Sequence, residues 1–304
     1  MQWKAHSEER TRTCNVKRDP RGNAKKIKEI SSFEGMKKSI IMKVAIIGAG
    51  SLGQSIAKGL LTNKVVDSLY LTKRNTSSII KFKRYNRVIL TSDNEEAVKN
   101  SDIIIFAVQP RHLRVILENL KYTLKKDQVI ISVITGFSIA KIENIIGGKH
   151  VIIRAMPNTA ASVGQSMTCL SANERGRGKV EFAKTIFNSL GSSMEIPEEQ
   201  LQAATVICAS GIAFWMRLIR ATTQGAIQLG FEAHEAQQLA VQTCFGAATL
   251  LKESGNHPEA EIDRVTTPGG CTIEGLNEME HQGLSSSLIK GITVSFDKIN
   301  QIKN

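Results

Sequence analysis

From residue 42 to residue 153 short apolar runs alternate with helical periodicity, whereas beyond residue 197 only helical periodicity remains. Lys43-Val44-Ala45-Ile46-Ile47 is an apolar run of strand length behind one lysine, the pattern of a strand buried on both faces. Similar runs recur at residues 68–71, 88–90, 102–108, 129–133 and 151–153. Between them, apolar residues at helical spacing predict helices over 54–61, 112–124 and 139–146. Strands alternating with helices predict an α/β fold with a doubly wound parallel sheet, whose ligand sits outside the carboxyl ends of the strands. That edge includes Ala107-Val108-Gln109-Pro110 and Arg154-Ala155-Met156-Pro157-Asn158-Thr159. After Pro197, residues 198–230 and 233–255 predict an all-α C-terminal part. Its Gly, Ala and Ser content permits close helix packing, which suits either a dimer interface or a self-contained bundle.

The first strand runs directly into Gly48-Ala49-Gly50-Ser51-Leu52-Gly53, and a helix pattern follows at once. G-x-G-x-x-G between a strand and a helix is the context that a dinucleotide fingerprint requires. Gly48 permits the tight turn, Gly50 lets the backbone approach a pyrophosphate, and Gly53 lets the helix pack on the sheet. The helix N-terminus adds free N–H groups and positive potential. The second strand ends in Thr72-Lys73-Arg74-Asn75, and no acid occurs between Ser68 and Lys81. An NAD site places a carboxylate here for the ribose 2′-OH. Donors and cations instead suit a 2′-phosphate, so NADPH is the expected cofactor and NADH a weaker one; a solvated basic loop is the plainer alternative.

The formal charge of +12 changes this picture little, because it is unevenly placed. Residues 1–41 hold 11 Lys+Arg against 5 Asp+Glu. This segment has no sustained period; it reads as a basic, disordered extension, as upstream sequence included in the reading frame ahead of Met42, or as a basic arm that touches nucleic acid. No aromatic interleaving or nucleic-acid motif favours the second, so no nucleic-acid partner is expected. The predicted domains are therefore the extension at 1–41, a Rossmann-type NADP-binding domain at 42–197, and a helical domain at 198–304. Five scattered cysteines form no CxxC pair, and six histidines form no HExxH, so neither a disulfide framework nor a metal centre is expected. There is no run of 18 apolar residues and no signal-peptide pattern, so the expectation is a cytoplasmic protein without a membrane span.

Between the third and fourth helices of the C-terminal part lies Val265-Thr266-Thr267-Pro268-Gly269-Gly270-Cys271-Thr272-Ile273-Glu274-Gly275-Leu276. Pro-Gly-Gly is a tight turn, and Thr272 sits where the next helix begins; such a turn can hold a carboxylate or serve as a cap alone. With GAGSLG, FAVQP, SVITGFSI, RAMPNTAASVG and VTTPGGCTIEGL followed by LNEMEHQG, the chain from Met42 to about Ile299 resembles the pyrroline-5-carboxylate reductases. MPNT and TPGGxT, in this order and spacing, are the distinctive parts.

The resemblance implies NADPH-dependent reduction of the C=N bond of 1-pyrroline-5-carboxylate to L-proline, the last step of proline biosynthesis. It implies Thr272 as the catalytic residue, its hydroxyl directed to the imine nitrogen. Arg264, Gly269, Gly270, Cys271 and Thr272 would bind substrate. Gly48, Ala49, Gly50, Ser51, Leu52, Gly53, Thr72, Arg74, Asn94, Ala107, Val108, Gln109 and Pro110 would line the cofactor, with Met156, Pro157 and Asn158 at the nicotinamide end. It also implies helical domains that pair into a homodimer or a ring of dimers. Three positions depart from the family pattern: Gln109 replaces a lysine, residues 208–214 lack the proline and tyrosine of SGSGPAY and have Ile212, and Arg220 replaces an acid. An amide can hydrogen-bond but cannot balance charge. These departures keep two alternatives open, a paralogue for another cyclic imine or carbonyl compound and a non-catalytic NADP-binding regulatory protein.

Overall fold

β1 (Lys43–Ile47) occupies the middle of the sheet because its side chains are apolar on both faces. Val44 and Ile46 enter one core with Ile56 and Leu60, while Ala45 and Ile47 enter the opposite core with Leu113, Leu117 and Ile142. Each large apolar side chain so buried contributes about 1.5–3 kcal/mol. The computed structural model describes residues 42–301; the expected extension over 1–41 lies outside the described residues.

β2 (Ser68–Thr72), β3 (Val88–Thr91), β4 (Ile103–Phe106), β5 (Val129–Ser132) and β6 (Val151–Met156) run parallel to β1 in the order β3-β2-β1-β4-β5-β6. The order reverses between β1 and β4, where a doubly wound sheet opens its ligand crevice. In register, Ile47 faces Thr72 and Phe106, and Phe106 faces Ser132, so the segments after these strands share one edge. Two strands escape the hydrophobic pattern: β7 (Ser166–Ala172), antiparallel to β6, and β8 (Gly191–Glu195), parallel to β7. SMTCLSA mixes small polar and apolar residues, and GSSME has a single large apolar side chain.

α1 (Ser51–Thr62), α2 (Asn94–Lys99), α3 (Pro110–Leu120), α4 (Ile139–Ile146) and α5 (Val180–Asn188) cover the two faces, and α5 was not predicted. α3 starts two residues earlier than its period predicts, because Pro110 takes the first helical position, where no N–H is needed.

The C-terminal part comprises α6 (Leu201–Thr205), α7 (Gly211–Gln228), α8 (Ala233–Ser254), α9 (Pro258–Val265), α10 (Cys271–His281) and α11 (Leu284–Gln301). A π turn, Val206–Ser210, joins α6 to α7, so helix runs from Glu198 to Gln228. With a mean hydropathy of 1.4 over its most apolar window, this 31-residue helix is long and apolar enough to cross a membrane. The absence of a span therefore does not follow from composition, since polar residues interrupt the apolar run yet leave its average high. α9, α10 and α11 contain no buried residue, and α7 buries only Gly211 and Thr223. Trp215 is 57% exposed, Met216 63% and Phe245 62%. One chain does not supply enough surface to cover these faces.

Candidate active site

The fingerprint turn is built as its three glycines require. Gly48 has φ +100°, and a Cβ there would lie 2.5 Å from Val108 Cγ1 and 2.9 Å from the Ala107 carbonyl oxygen. A Cβ on Gly53 would come within 2.3 Å of the Gly48 oxygen. Gly50 is different: nothing lies within 4 Å of its would-be Cβ, so space is open directly above the turn. Gly50 is also the N-cap of α1 and offers no side-chain bond, so the first N–H groups of the helix, at Ser51, Leu52 and Gly53, face outward without a side-chain partner. Open space, free donors and a helix dipole together fit a pyrophosphate.

Thr72 is buried, and its hydroxyl is occupied within the protein: it accepts from Gly48 N at 3.2 Å and donates to Asn94 Oδ1 at 2.7 Å. The Thr72 carbonyl accepts from Ala49 N at 2.8 Å. Thr72 and Asn94 thus brace the turn from beneath. Arg74 is exposed one residue beyond the half-buried Lys73, and no carboxylate pairs with either among the described residues. Ala107 and Val108 are half-buried against the Gly48 turn, and Gln109 and Pro110 open α3 at the same edge, both exposed.

At the far side of that edge Met156 is buried, and its Sδ accepts from the Thr135 hydroxyl at 3.9 Å. Pro157 is half-buried. Asn158 is buried and ties the sheet to the helices: its Nδ2 donates to the Cys208 carbonyl at 2.9 Å, and its Oδ1 accepts from Ala160 N. A cavity of about 270 Å³ opens nearby, lined by Gly136, Ser138, Arg154, Glu198, Glu199 and Gln202. Arg154 is buried, and its guanidinium donates to Glu198 Oε1 at 2.9 Å; the same oxygen accepts from Ile139 N at 2.7 Å. Sequence reading did not single out this pair, because its members stand 44 residues apart.

The Pro-Gly-Gly segment turns through Gly269, at φ +66°, and Gly270 is the N-cap of α10. Cys271 and Thr272 are the first two residues of that helix, both exposed, and the Thr272 hydroxyl has no hydrogen-bond partner among the described residues. Arg264, in the last turn of α9, donates to both carboxylate oxygens of Glu261, at 2.9 and 3.0 Å. α10 packs on α11, and α9 on α8. Within one chain this turn and the fingerprint turn form two separate halves: one suits a dinucleotide, the other a small anion.

Comparisons with known proteins bear on both halves. The family profile described as pyrroline-5-carboxylate reductase dimerisation matches residues 198–302, and that of the NADP oxidoreductase, coenzyme F420-dependent family matches 43–136. Pyrroline-5-carboxylate reductase 2 of Dictyostelium discoideum is 40% identical over 272 residues, 84% of this chain and 91% of the relative. The chain belongs to the pyrroline-5-carboxylate reductase family. Pyrroline-5-carboxylate reductase 1 of the same organism is 47% identical over 269 residues; the match takes in 84% of this chain but spans about half, 49%, of that relative's length. The crystal structure of Plasmodium falciparum pyrroline carboxylate reductase with NADP bound aligns with a TM-score of 0.74 at 26% identity, covering 85% of this chain and 97% of that one. The sheet half is thus an NADP-binding Rossmann fold, and the helical half is a reductase dimerisation region whose exposed apolar faces match that description. As a member of this family the chain is an oxidoreductase acting on a CH–NH group.

Proposed function

We propose that the protein reduces the C=N bond of 1-pyrroline-5-carboxylate to L-proline with NADPH, the last step of proline biosynthesis, in a cytoplasmic setting. The observation that carries this reading is the free Thr272 hydroxyl at the start of α10, directly after a Pro-Gly-Gly turn. When bound, NADPH supplies the hydride. The chain's own residues position and polarise. Free N–H groups of Ser51, Leu52 and Gly53 hold the pyrophosphate, with Gly50 leaving room for it. Arg74 and Lys73 receive the 2′-phosphate, and no carboxylate is present to favour NADH. Asn94 and Thr72 fix the turn, Ala107 to Pro110 form its wall, and Met156, Pro157 and Asn158 bound the nicotinamide end.

Backbone N–H groups of Gly269, Cys271 and Thr272 hold the substrate carboxylate at the dipole of α10, while the Gly270 N–H closes the turn on the Thr267 carbonyl. Arg264, charge-paired with Glu261, adds positive potential from α9. Thr272 hydrogen-bonds the imine nitrogen and draws electron density from the carbon that accepts hydride; as the π pair returns to nitrogen, that nitrogen takes its proton through the hydroxyl, which solvent resupplies. Two copies pair through the exposed faces of the helical half, as a dimer or a ring of dimers. Incubation with NADPH or NADH and a panel of cyclic imines and carbonyl compounds tests the reading. Faster oxidation of NADPH with 1-pyrroline-5-carboxylate supports it. Turnover of another imine alone moves the protein to a paralogous activity, and tight NADPH binding without any turnover leaves a regulatory binder.

A further inference from the structure

Two cysteines that the reductase chemistry does not use meet at the seam between sheet and helices. Cys169 lies on β7 opposite Met156 of β6, and Cys208 lies in the π turn between α6 and α7. They belong to one small apolar cluster: Met156, Cys169 and Leu201 are buried, and Cys208, Ile196 and Ala204 pack against them. Cys208 packs against the cluster that holds Cys169, and neither thiol is in a disulfide. Cys208 sits in a single π turn inside a helix, a feature that often marks functional positions. The Cys208 carbonyl is also the acceptor for Asn158 Nδ2. The neighbouring Cys169 thiol holds the Cys208 thiol down, to about 7, while Cys208 and burial push the Cys169 thiol up.

We propose that Cys169 and Cys208 form a peroxide-responsive dithiol, a modification site that closes into a disulfide between the sheet and the helical half. Cys208 reacts first, being half-buried where Cys169 is 4% exposed. Its thiolate attacks one peroxide oxygen; the S–O bond forms, the O–O bond breaks, hydroxide leaves, and Cys208 becomes a sulfenic acid. The Cys169 sulfur then attacks Cys208 Sγ; the S–S bond forms, the S–O bond breaks, and the Cys169 proton leaves with the hydroxyl as water. In sum two thiols lose two electrons and two protons, and one peroxide becomes two molecules of water. Because both cysteines pack into one cluster, closure is a local step. The bond would fasten the π turn to β7 beside Met156 and Asn158.

The test is titration of the full-length protein with hydrogen peroxide, blocking of free thiols, digestion without reductant and mass spectrometry. The expected result is a peptide pair joining Cys169 to Cys208, lighter by two hydrogens and released by dithiothreitol. Cys169→Ser should instead let a sulfenic acid at Cys208 accumulate, trapped by dimedone. In the wild-type disulfide form, amide exchange at Val206 to Ser210 should slow about tenfold or more, on the scale of local opening equilibria. Oxidation of Cys244 or Cys271 while Cys208 stays a thiol would overturn the proposal, as would sulfinic acid at Cys208 without cross-link. These wild-type outcomes do not depend on any variant folding, nor on whether the reductase reading holds.

Discussion

Replacing Gly50 and Gly53 one at a time by alanine separates the two jobs that the fingerprint turn performs. At Gly50 the backbone has φ −75° and ψ −165°, which alanine adopts freely, and a Cβ meets nothing within 4 Å. Loss of chain freedom in the unfolded state stabilises by about 0.4–1 kcal/mol, and the poorer N-cap costs a similar amount. The folded protein should therefore keep its stability within about 0.5 kcal/mol. The new methyl nevertheless stands in the space where the pyrophosphate has to approach. Lengthening its bonds to the α1 N–H groups should cost about 1.5–3 kcal/mol, or about 10- to 150-fold in NADPH affinity. At Gly53 the Cβ falls 2.3 Å from the Gly48 oxygen and 3.3 Å from Ile46 Cγ2, so backbone has to move. Overpacking of this kind costs about 1–3 kcal/mol before any ligand is added. Urea titration without cofactor and NADPH titration by fluorescence read the two effects separately. A Gly50→Ala protein that binds NADPH like wild type, or that loses as much stability as Gly53→Ala, would refute the reasoning.

Thr272→Val should lower kcat/KM by about two- to tenfold, the worth of one hydrogen bond of 0.5–1.5 kcal/mol, with NADPH affinity unchanged in direct titration. An unchanged rate would reduce Thr272 to a residue of the helix start. Arg74→Ala should weaken NADPH by about tenfold while NADH changes little, as a charge-assisted bond to a 2′-phosphate requires; equal loss for both cofactors would contradict that contact. Glu198→Ala leaves Arg154 buried and without its carboxylate, which for a fully buried pair costs about 3–5 kcal/mol and here about 2–3 kcal/mol, since Glu198 is partly exposed. Thermal denaturation should show the loss, and a melting temperature equal to wild type would mean that water replaces the carboxylate.

The parts of this protein that sequence made legible are local ones. β1, its glycine turn and α1 are contiguous, and every element of their signal, from the apolar run to the spacing of Gly48, Gly50 and Gly53, lies within twenty residues. The edge shared by the segments after β1, β2 and β4 was equally readable, because each parallel strand ends its apolar run there. Long-range pairing was not. Thr72 looks like a cofactor donor in sequence, yet its hydroxyl is taken by Gly48 and by Asn94, 22 residues away. Asn158 turns to Cys208 across 50 residues, and Arg154 to Glu198 across 44. β7 and β8 are added beyond the doubly wound core and have little apolar signature of their own. In the helical half the periodicity located the helices; their exposure in a single chain, as at Trp215 and Phe245, is visible only in the structure and fits the dimerisation profile.

The central claim is hydride transfer from an NADPH whose pyrophosphate lies over Gly50 to the imine carbon of a substrate held by the turn before Thr272. Turnover of 1-pyrroline-5-carboxylate with NADPH carrying deuterium on the transferable position of nicotinamide carbon 4 tests it most directly, with the product isolated and its label located. The account predicts L-proline formed in equal amount to the NADPH consumed, with one deuterium on the ring carbon that was double-bonded to nitrogen. Tight binding of NADPH with no proline, or proline without deuterium at that carbon, would contradict it.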